Sequence, residues 1–451
     1  MSATTVPVVG GGLAGCEAAW QLAEAGLNVT LVEMRPLRST PVHTTDRLAE
    51  LVCSNSLRGD ALSNAVGLLK REMEVLDSLV MRAARDASLP AGGALAVDRE
   101  RFAELVTESI AAHERISLVR REQIALPDDP AVVATGPLTS DGLHRALAEL
   151  LGEDALAFFD AIAPIVASNS IDHRRVFRAS RWGKGGDDYL NIALDRAAYE
   201  EFVGELRAAD KVEFKDFETE DLRYFEGCLP IEVMAERGID TLRHGPMKPV
   251  GLTDPTTGRR PWAVVQLRQD DLAAEHWNLV GFQTKLTYGE QKRIFRMLPG
   301  LDSARFVRFG MIHRNTFINA PAHLDPLLRL VRRPGVRVAG QLTGVEGYVE
   351  SAATGLIAGR TLALELAGTA PEPPPIGTAM GGLIRHLSAR SAAGFQPANI
   401  TWSLIPCPPE LKRLRPKADR RLEQARRALG SIAAWGERTG GRIRDVTEVT
   451  E

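Results

Sequence analysis

Apolar residues open the chain in a short run, Val6–Val9, that stops at three consecutive glycines, Gly10, Gly11 and Gly12. A longer segment from about Ala14 to Glu24 carries apolar positions at helical spacing, Gly26 breaks it, and Asn28–Glu33 returns to a compact apolar run. Short apolar runs bounded by turn residues read as buried strands, and the longer periodic segment as a helix. The stretch therefore predicts strand, glycine turn, helix, strand. Pro7 lacks a backbone donor and is expected only at a strand's first residue or at a sheet edge. A polar, helical stretch is expected from Thr45 to about Ala87. "ALAVDRERFAELVTESIAAHERISLVRRE" then reads as strand–helix–strand, and "DPAVVATGPLTS" (129–140) as a buried strand ending at Gly136.

The pattern changes from about 145 to 309, where aromatics and charges are denser and strands are short. Turns such as "WGKGGDD" and "TDPTTGRRP" punctuate it. Near residue 336 the earlier pattern returns as strand, glycine turn and long helix, followed by the proline-rich break "GTAPEPPPIG" and a basic helical tail. No internal repeat is visible. The expected fold is α/β: a Rossmann-like, doubly wound domain built discontinuously from 1–145 and 310–451, with an inserted α/β (α+β) domain at 146–309.

Composition changes this picture little. With 451 residues, 44% hydrophobic, 25% charged and a net charge of −3, the chain is an ordinary globular one whose charge neither favours nor excludes a polyanion. Its four cysteines, Cys16, Cys53, Cys228 and Cys407, include no CxxC and no Cys/His cluster, so neither a disulfide framework nor a zinc or other metal site is expected. No apolar run reaches spanning length, so no membrane association is expected. The first residues enter a strand without a charged-then-apolar leader, so a cytoplasmic protein with free thiols is expected.

Gly10, Gly12 and Gly15 spell GxGxxG between strand and helix, and Glu33 closes the second strand. Such glycines permit a tight turn, close backbone approach to a pyrophosphate and helix–sheet contact. The helix start, Gly11 to Ala14, offers N–H donors, and the carboxylate suits ribose hydroxyls. The motif alone does not separate FAD from NAD. "VVATG" (132–136), ending at Gly136, resembles the ATG segment of two-dinucleotide-fold flavoproteins. "AGQLTGVEGYVESAATGLIAG" (339–359), with Gly340 and Gln341, supplies the late strand–glycine–helix with which such proteins close on the flavin. FAD is the expected cofactor.

Five segments occur here in the order found in one family: "VVGGGLAGCEAAWQLAEAG" (8–26), "LVCSNSLR" (51–58), "FEGCLPIEVMAERG" (225–238), 339–359, and "FQPANITWSLIP" (395–406). Over nearly its whole length the chain resembles the folate- and FAD-dependent tRNA (uracil-5-)-methyltransferases, the TrmFO family. That resemblance implies methylenetetrahydrofolate as carbon donor, NAD(P)H as reductant, and the T-loop uridine of tRNA as acceptor, with no obligate protein partner. The rival readings are the related GidA/MnmG flavoproteins that modify the wobble uridine, which carry a longer C-terminal helical region, and a non-catalytic FAD-binding regulator.

C5 of uracil becomes nucleophilic only after a thiolate adds at C6, and a free cysteine is only a few per cent thiolate near neutrality. Cys228 lies just before Pro230, a residue suited to a helix's first turn, where dipole and N–H groups would lower a thiol's pKa. A buried, inert position is the commoner fate of a free cysteine; the resemblance makes Cys228 the nucleophile. It also makes Cys53 a second required thiol, as proton-abstracting base or in handling the methylene. Cys16 and Cys407 are expected to be structural. Arg174, Arg175, Arg178, Arg181 and Lys184 interleave with Phe177 and Trp182, as phosphate contacts interleave with stacking surfaces, or as a solvated face would. The tail Lys412–Arg427, with eight basic and two acidic residues, is the second candidate for tRNA. His313 and Arg314 are candidates for folate.

Overall fold

The computed structural model describes residues 5–152, 156–212, 229–389 and 395–447. Strand β1 (Thr5–Val9), helix α1 (Leu13–Glu24) and strand β2 (Asn28–Glu33) form in the expected order. They belong to a six-stranded sheet ordered Arg329–Leu330, Arg333–Val338, Ala131–Val133, β1, β2, Ile116–Arg120. All its pairings are parallel except the outer Arg329–Leu330 hairpin. The strands are nearly continuous apolar runs, as in a parallel sheet buried on both faces.

Pro7 is neither first in its strand nor at an edge, contrary to expectation: β1 is an interior strand and Pro7 its third residue. The Gly10 N–H donates to Val32 of β2, whereas the Val9 carbonyl accepts from Ala134 on the other side. By alternation, the N–H that Pro7 lacks would face the Ala131–Val133 side. That ladder begins only at Val8, so no acceptor is wasted.

α1 crosses the long helix Tyr348–Leu366 closely. A methyl at Gly355 would collide with the Ala14 carbonyl, so this crossing needs a residue without Cβ. The stretch expected to be helical from Thr45 to Ala87 divides. Helices occupy Ala65–Val75 and Leu79–Asp86, but 45–55 is irregular and Ser56–Gly59 is a strand. Local side-chain bonds explain this: Glu50 accepts from the N–H and hydroxyl of both Thr44 and Thr45.

A second six-stranded sheet, wholly antiparallel, runs Phe177–Arg178, Tyr189–Leu194, Ala263–Gln269, His276–Leu279, Ile165–Ala167, Phe306–Arg308. It has its own core around Trp277, Tyr199, Phe202, Phe282 and Phe295. The first core draws on residues from 6 to 151 and again from 317 to 435. The chain passes between the two through the antiparallel pair Leu156–Ala161 and Ile312–Phe317. The boundary read at 145/146 falls inside the helix Asp141–Leu151, whose Leu147 and Leu151 belong to the first core. The basic tail forms the helix Lys417–Thr439, anchored by the fully buried Trp435. Among the described residues no helix is long and apolar enough to cross a membrane.

Candidate active site

The glycine turn lies where the strand order of the parallel sheet reverses, with β2 on one side of β1 and Ala131–Val133 on the other. The carboxyl ends of such strands form a crevice. Gly10 takes φ +105°, and a methyl there would collide with the Ala134 carbonyl; one at Gly15 would collide with the Gly10 carbonyl. A Cβ at Gly12 would meet no protein atom within 4 Å, so this position opens onto the crevice at the start of α1. No side chain caps α1, which leaves its first-turn donors facing the same space.

Glu33 is buried, with hydrogen bonds to both carboxylate oxygens. Its Oε2 accepts from the Gly11 N–H at 2.8 Å, and its Oε1 from Arg35 N and Nε at 2.9 and 3.0 Å. Burial works against its charge, but the Arg35 guanidinium and these hydrogen bonds outweigh it and hold the carboxyl below its usual range. Arg35 also pairs with Glu50 at 3.2 Å. His43, beside them, bonds Thr40 Oγ1 through Nδ1 at 2.6 Å; burial, then the Arg35 charge, pushes its pKa down to about 4.

From Arg121 and Gln123 the crevice runs past Glu33 and Thr135 to Gly340 and Tyr348. Its central part encloses ≈ 780 Å³ of empty space, open mouth included. Gly136 (φ +66°) and Gly340 (φ +78°) turn the chain at its far walls. The Gly340 N–H donates to Thr354 Oγ1 at 2.7 Å, and Gln341 Nε2 to Glu346 at 2.6 Å. An elongated groove with bare helix-start donors, glycine walls and a ribose-height carboxylate fits a dinucleotide. Three of the four acceptor positions on Glu33 are already taken, so at most one remains for a ribose hydroxyl.

Val52, next to Cys53 in the chain, lines the groove. The Cys53 and Ser54 N–H groups donate to the Tyr348 hydroxyl at 2.8 and 3.2 Å, and the Cys53 thiol approaches the Ala161 carbonyl at 3.8 Å. Burial, then the neighbouring Cys53, pushes the Tyr348 phenol up, so it stays protonated. Cys228 lies outside the described residues. The helix expected after it runs Ile231–Glu236 with Pro230 at its cap. Cys16 is fully buried, its thiol on the Gly11 carbonyl and pushed up by burial; Cys407 contacts the Pro408 carbonyl.

Residues 5–370 match the family model described as Glucose inhibited division protein A. The methylenetetrahydrofolate–tRNA-(uracil-5-)-methyltransferase TrmFO of Geobacter sulfurreducens is 56% identical over 95% of this chain and 98% of that relative. The TrmFO of Pelobacter propionicus is 53% identical over 99% and 98%. The chain belongs to the TrmFO family. Among solved structures, Aquifex aeolicus GidA superposes with a TM-score of 0.71 at 16% identity, covering 99% of this chain and 75% of that one. A second crystal form gives 0.70 at 17% identity. The fold is thus that of GidA, shared by a shorter TrmFO chain.

Within this TrmFO-family chain, several residues that line the groove (Arg35, Tyr348) or bond the loop carrying Cys53 (Arg99, Arg268) carry no motif signal. Arg35, Arg99, Arg268 and Tyr348 stand out only once folded, although an arginine in the apolar strand "AVVQLRQ" (263–269) was a hint of a buried charge. The basic stretch lies on the second unit. Arg174 is exposed and pairs with Asp172 at 2.9 Å, and Arg175 with Asp302 at 2.8 Å. Arg178 stacks over Trp277, and Lys184 is exposed. Arg181 differs: half-buried, it donates to Gln266 Oε1 and the Val250 carbonyl, so its donors hold the fold. Trp182 is 69% exposed beside it. His313 and Arg314 sit in the strand Ile312–Phe317, their side chains outside the described part.

Proposed function

We propose that the protein transfers a one-carbon unit from methylenetetrahydrofolate to C5 of the T-loop uridine of tRNA, giving 5-methyluridine. NAD(P)H supplies the electrons, and FAD occupies the groove. The observation that carries this reading is the path of the groove, which leads from the glycine turn directly to the loop bearing Cys53. Relatives named for this reaction, more than half identical along nearly the whole chain, support it.

Gly10 to Gly15 give the pyrophosphate bare backbone and helix-start donors, and Glu33 offers its remaining acceptor to the ribose. Gly136, Gly340 and Gln341 enclose the flavin end. When bound, FAD supplies hydride-level reduction beside the base. The chain's own residues do the rest. The Cys228 thiolate adds at C6 and makes C5 nucleophilic, so that C5 attacks the folate methylene carbon. Cys53 takes the C5 proton as the methylene carbon–nitrogen bond breaks and tetrahydrofolate leaves, which gives an exocyclic methylene on C5; a hydride adds to that methylene as the Cys228 sulfur leaves C6 and the C5–C6 double bond re-forms. The pterin lies near the strand bearing His313 and Arg314. The domain from the two chain ends holds the cofactor. The inserted one offers Arg174, Arg175, Arg178 and Lys184 to tRNA phosphates, with Arg181 bracing that surface from within and the tail Lys412–Arg427 as a second surface. A flipped-out uridine enters between them.

The test is methyl transfer from labelled methylenetetrahydrofolate to an unmodified tRNA transcript. Label is expected in 5-methyluridine, and Cys53→Ala and Cys228→Ala are each expected to lower the rate by roughly 100-fold or more. A folded, flavin-bound variant working at wild-type rate removes that cysteine from the mechanism. Label at the wobble position, or none, overturns the reading itself.

A further inference from the structure

Leu51–Asn55 is irregular backbone, yet it is gripped from both cores at once. From the first core, Arg99 donates to the Leu51 and Cys53 carbonyls at 2.7 and 3.1 Å, and Tyr348 receives the Cys53 and Ser54 N–H groups. From the second, Arg268 donates Nε to Asn55 Oδ1 at 2.8 Å and Nη2 to Ser54 Oγ at 2.7 Å. The Gln269 carbonyl accepts from Asn55 Nδ2 at 2.9 Å. Arg99 is locked in turn by both carboxylate oxygens of Asp270, across the same boundary.

Arg268 is the informative member. It lies in the strand Ala263–Gln269 and is 7% exposed, opposite Tyr189 and Asn278 on the adjoining strands. A guanidinium resists burial, and no packing requirement of an antiparallel sheet calls for one here. Its rigid fork is spent on two consecutive residues of a loop belonging to the other core, the two that follow Cys53. Within its own sheet Arg268 also meets the Tyr189 hydroxyl, but its two short hydrogen bonds to Ser54 and Asn55 serve the loop.

We infer that Arg268, backed by Arg99, is a positioning residue for Cys53, fixing from the second core the loop that carries the thiol. Cys53 then reaches its working position only while the two cores are docked, so thiol placement is coupled to the domain arrangement that admits tRNA. The functional half of this inference rests on the catalytic reading of Cys53; the clamp does not.

The experiment compares Arg268→Gln, Arg268→Lys and the exposed-site control Arg259→Gln as full-length, flavin-loaded proteins. Hydrogen exchange of the peptide spanning 51–56 is expected to rise about tenfold or more in Arg268→Gln, with the strand 263–269 unchanged. The kcat for methyl transfer is expected to fall by about tenfold, with KM for tRNA within roughly twofold and partial recovery in Arg268→Lys. Unchanged exchange at 51–56, or a rise spread evenly over the second sheet, overturns the clamp. Faster exchange with unaltered kcat overturns the positioning role. Equal methyl transfer by wild type and Cys53→Ala would instead sink the reading of Cys53, while the exchange result still decides the clamp.

Discussion

Replacing Glu33 with glutamine keeps an acceptor for the Gly11 N–H but strips the charge facing Arg35, itself 3% exposed. Breaking one side of a buried pair costs roughly 3 kcal/mol, eased here because Arg35 retains Glu50. Glu33→Gln should therefore lower denaturant stability by about 2–3 kcal/mol and release flavin more readily, measured by urea titration and flavin fluorescence. His43 gives a pH signature. Its folded-state pKa of about 4 lies below the ordinary 6.5, because burial and Arg35 disfavour its charge. The stability it contributes is intact above pH 6.5 and is lost as pH falls toward 4. His43→Asn should flatten that part of the stability–pH curve by roughly 3 kcal/mol. The glycine motif and Glu33 were legible in the sequence because their geometry is local. Arg35 and Tyr348 were not, because what makes them matter is a partner brought near only by folding.

Elements turn on whether a backbone can approach another. At Gly15 and Gly355 a methyl would collide with main-chain carbonyls on β1's turn and on α1, neither of which can yield without moving a whole element. Gly15→Ala and Gly355→Ala should each cost about 1–3 kcal/mol or more and reduce flavin retention. Gly430, in the exposed part of the helix Lys417–Thr439, has no atom within 4 Å of a would-be Cβ. Gly430→Ala should stabilise by about 0.5–1 kcal/mol, read as a rise in Tm. Periodicity exposed these helices and the parallel strands. It misread 45–55, where Glu50 accepts from the N–H groups and hydroxyls of Thr44 and Thr45, and Asn55 donates to the distant Val97 and Gln269 carbonyls, in place of helical hydrogen bonds.

Across the whole molecule, the basic stretch at 174–184 and the tail at 412–427 make distinct predictions for tRNA. Charge reversal at Arg174, Arg175 and Arg178 should weaken binding and flatten its salt dependence by about one unit of slope per lost phosphate contact. Reversal at Lys417, Arg420 and Arg421 tests the tail by the same measurement, and an unaltered slope dismisses whichever surface shows it. Arg181→Ala should instead lower thermal stability, because its donors serve Gln266 and Val250. The change of texture near 145 is a sequence feature; the helix Asp141–Leu151, which spans that point, packs with the first core through Leu147 and Leu151.

The strand pair Leu156–Ala161 and Ile312–Phe317 sets an order of manufacture. A ribosome delivers residues from the amino end at about 5–20 per second, so the central unit is fully released while the outer one still waits for nearly half of its residues. Val336–Val338 must arrive before Ala131–Val133 acquires its second parallel neighbour. The nascent chain thus completes its middle first, and the crevice gains its last wall, Gly340 to Ser351, only afterwards.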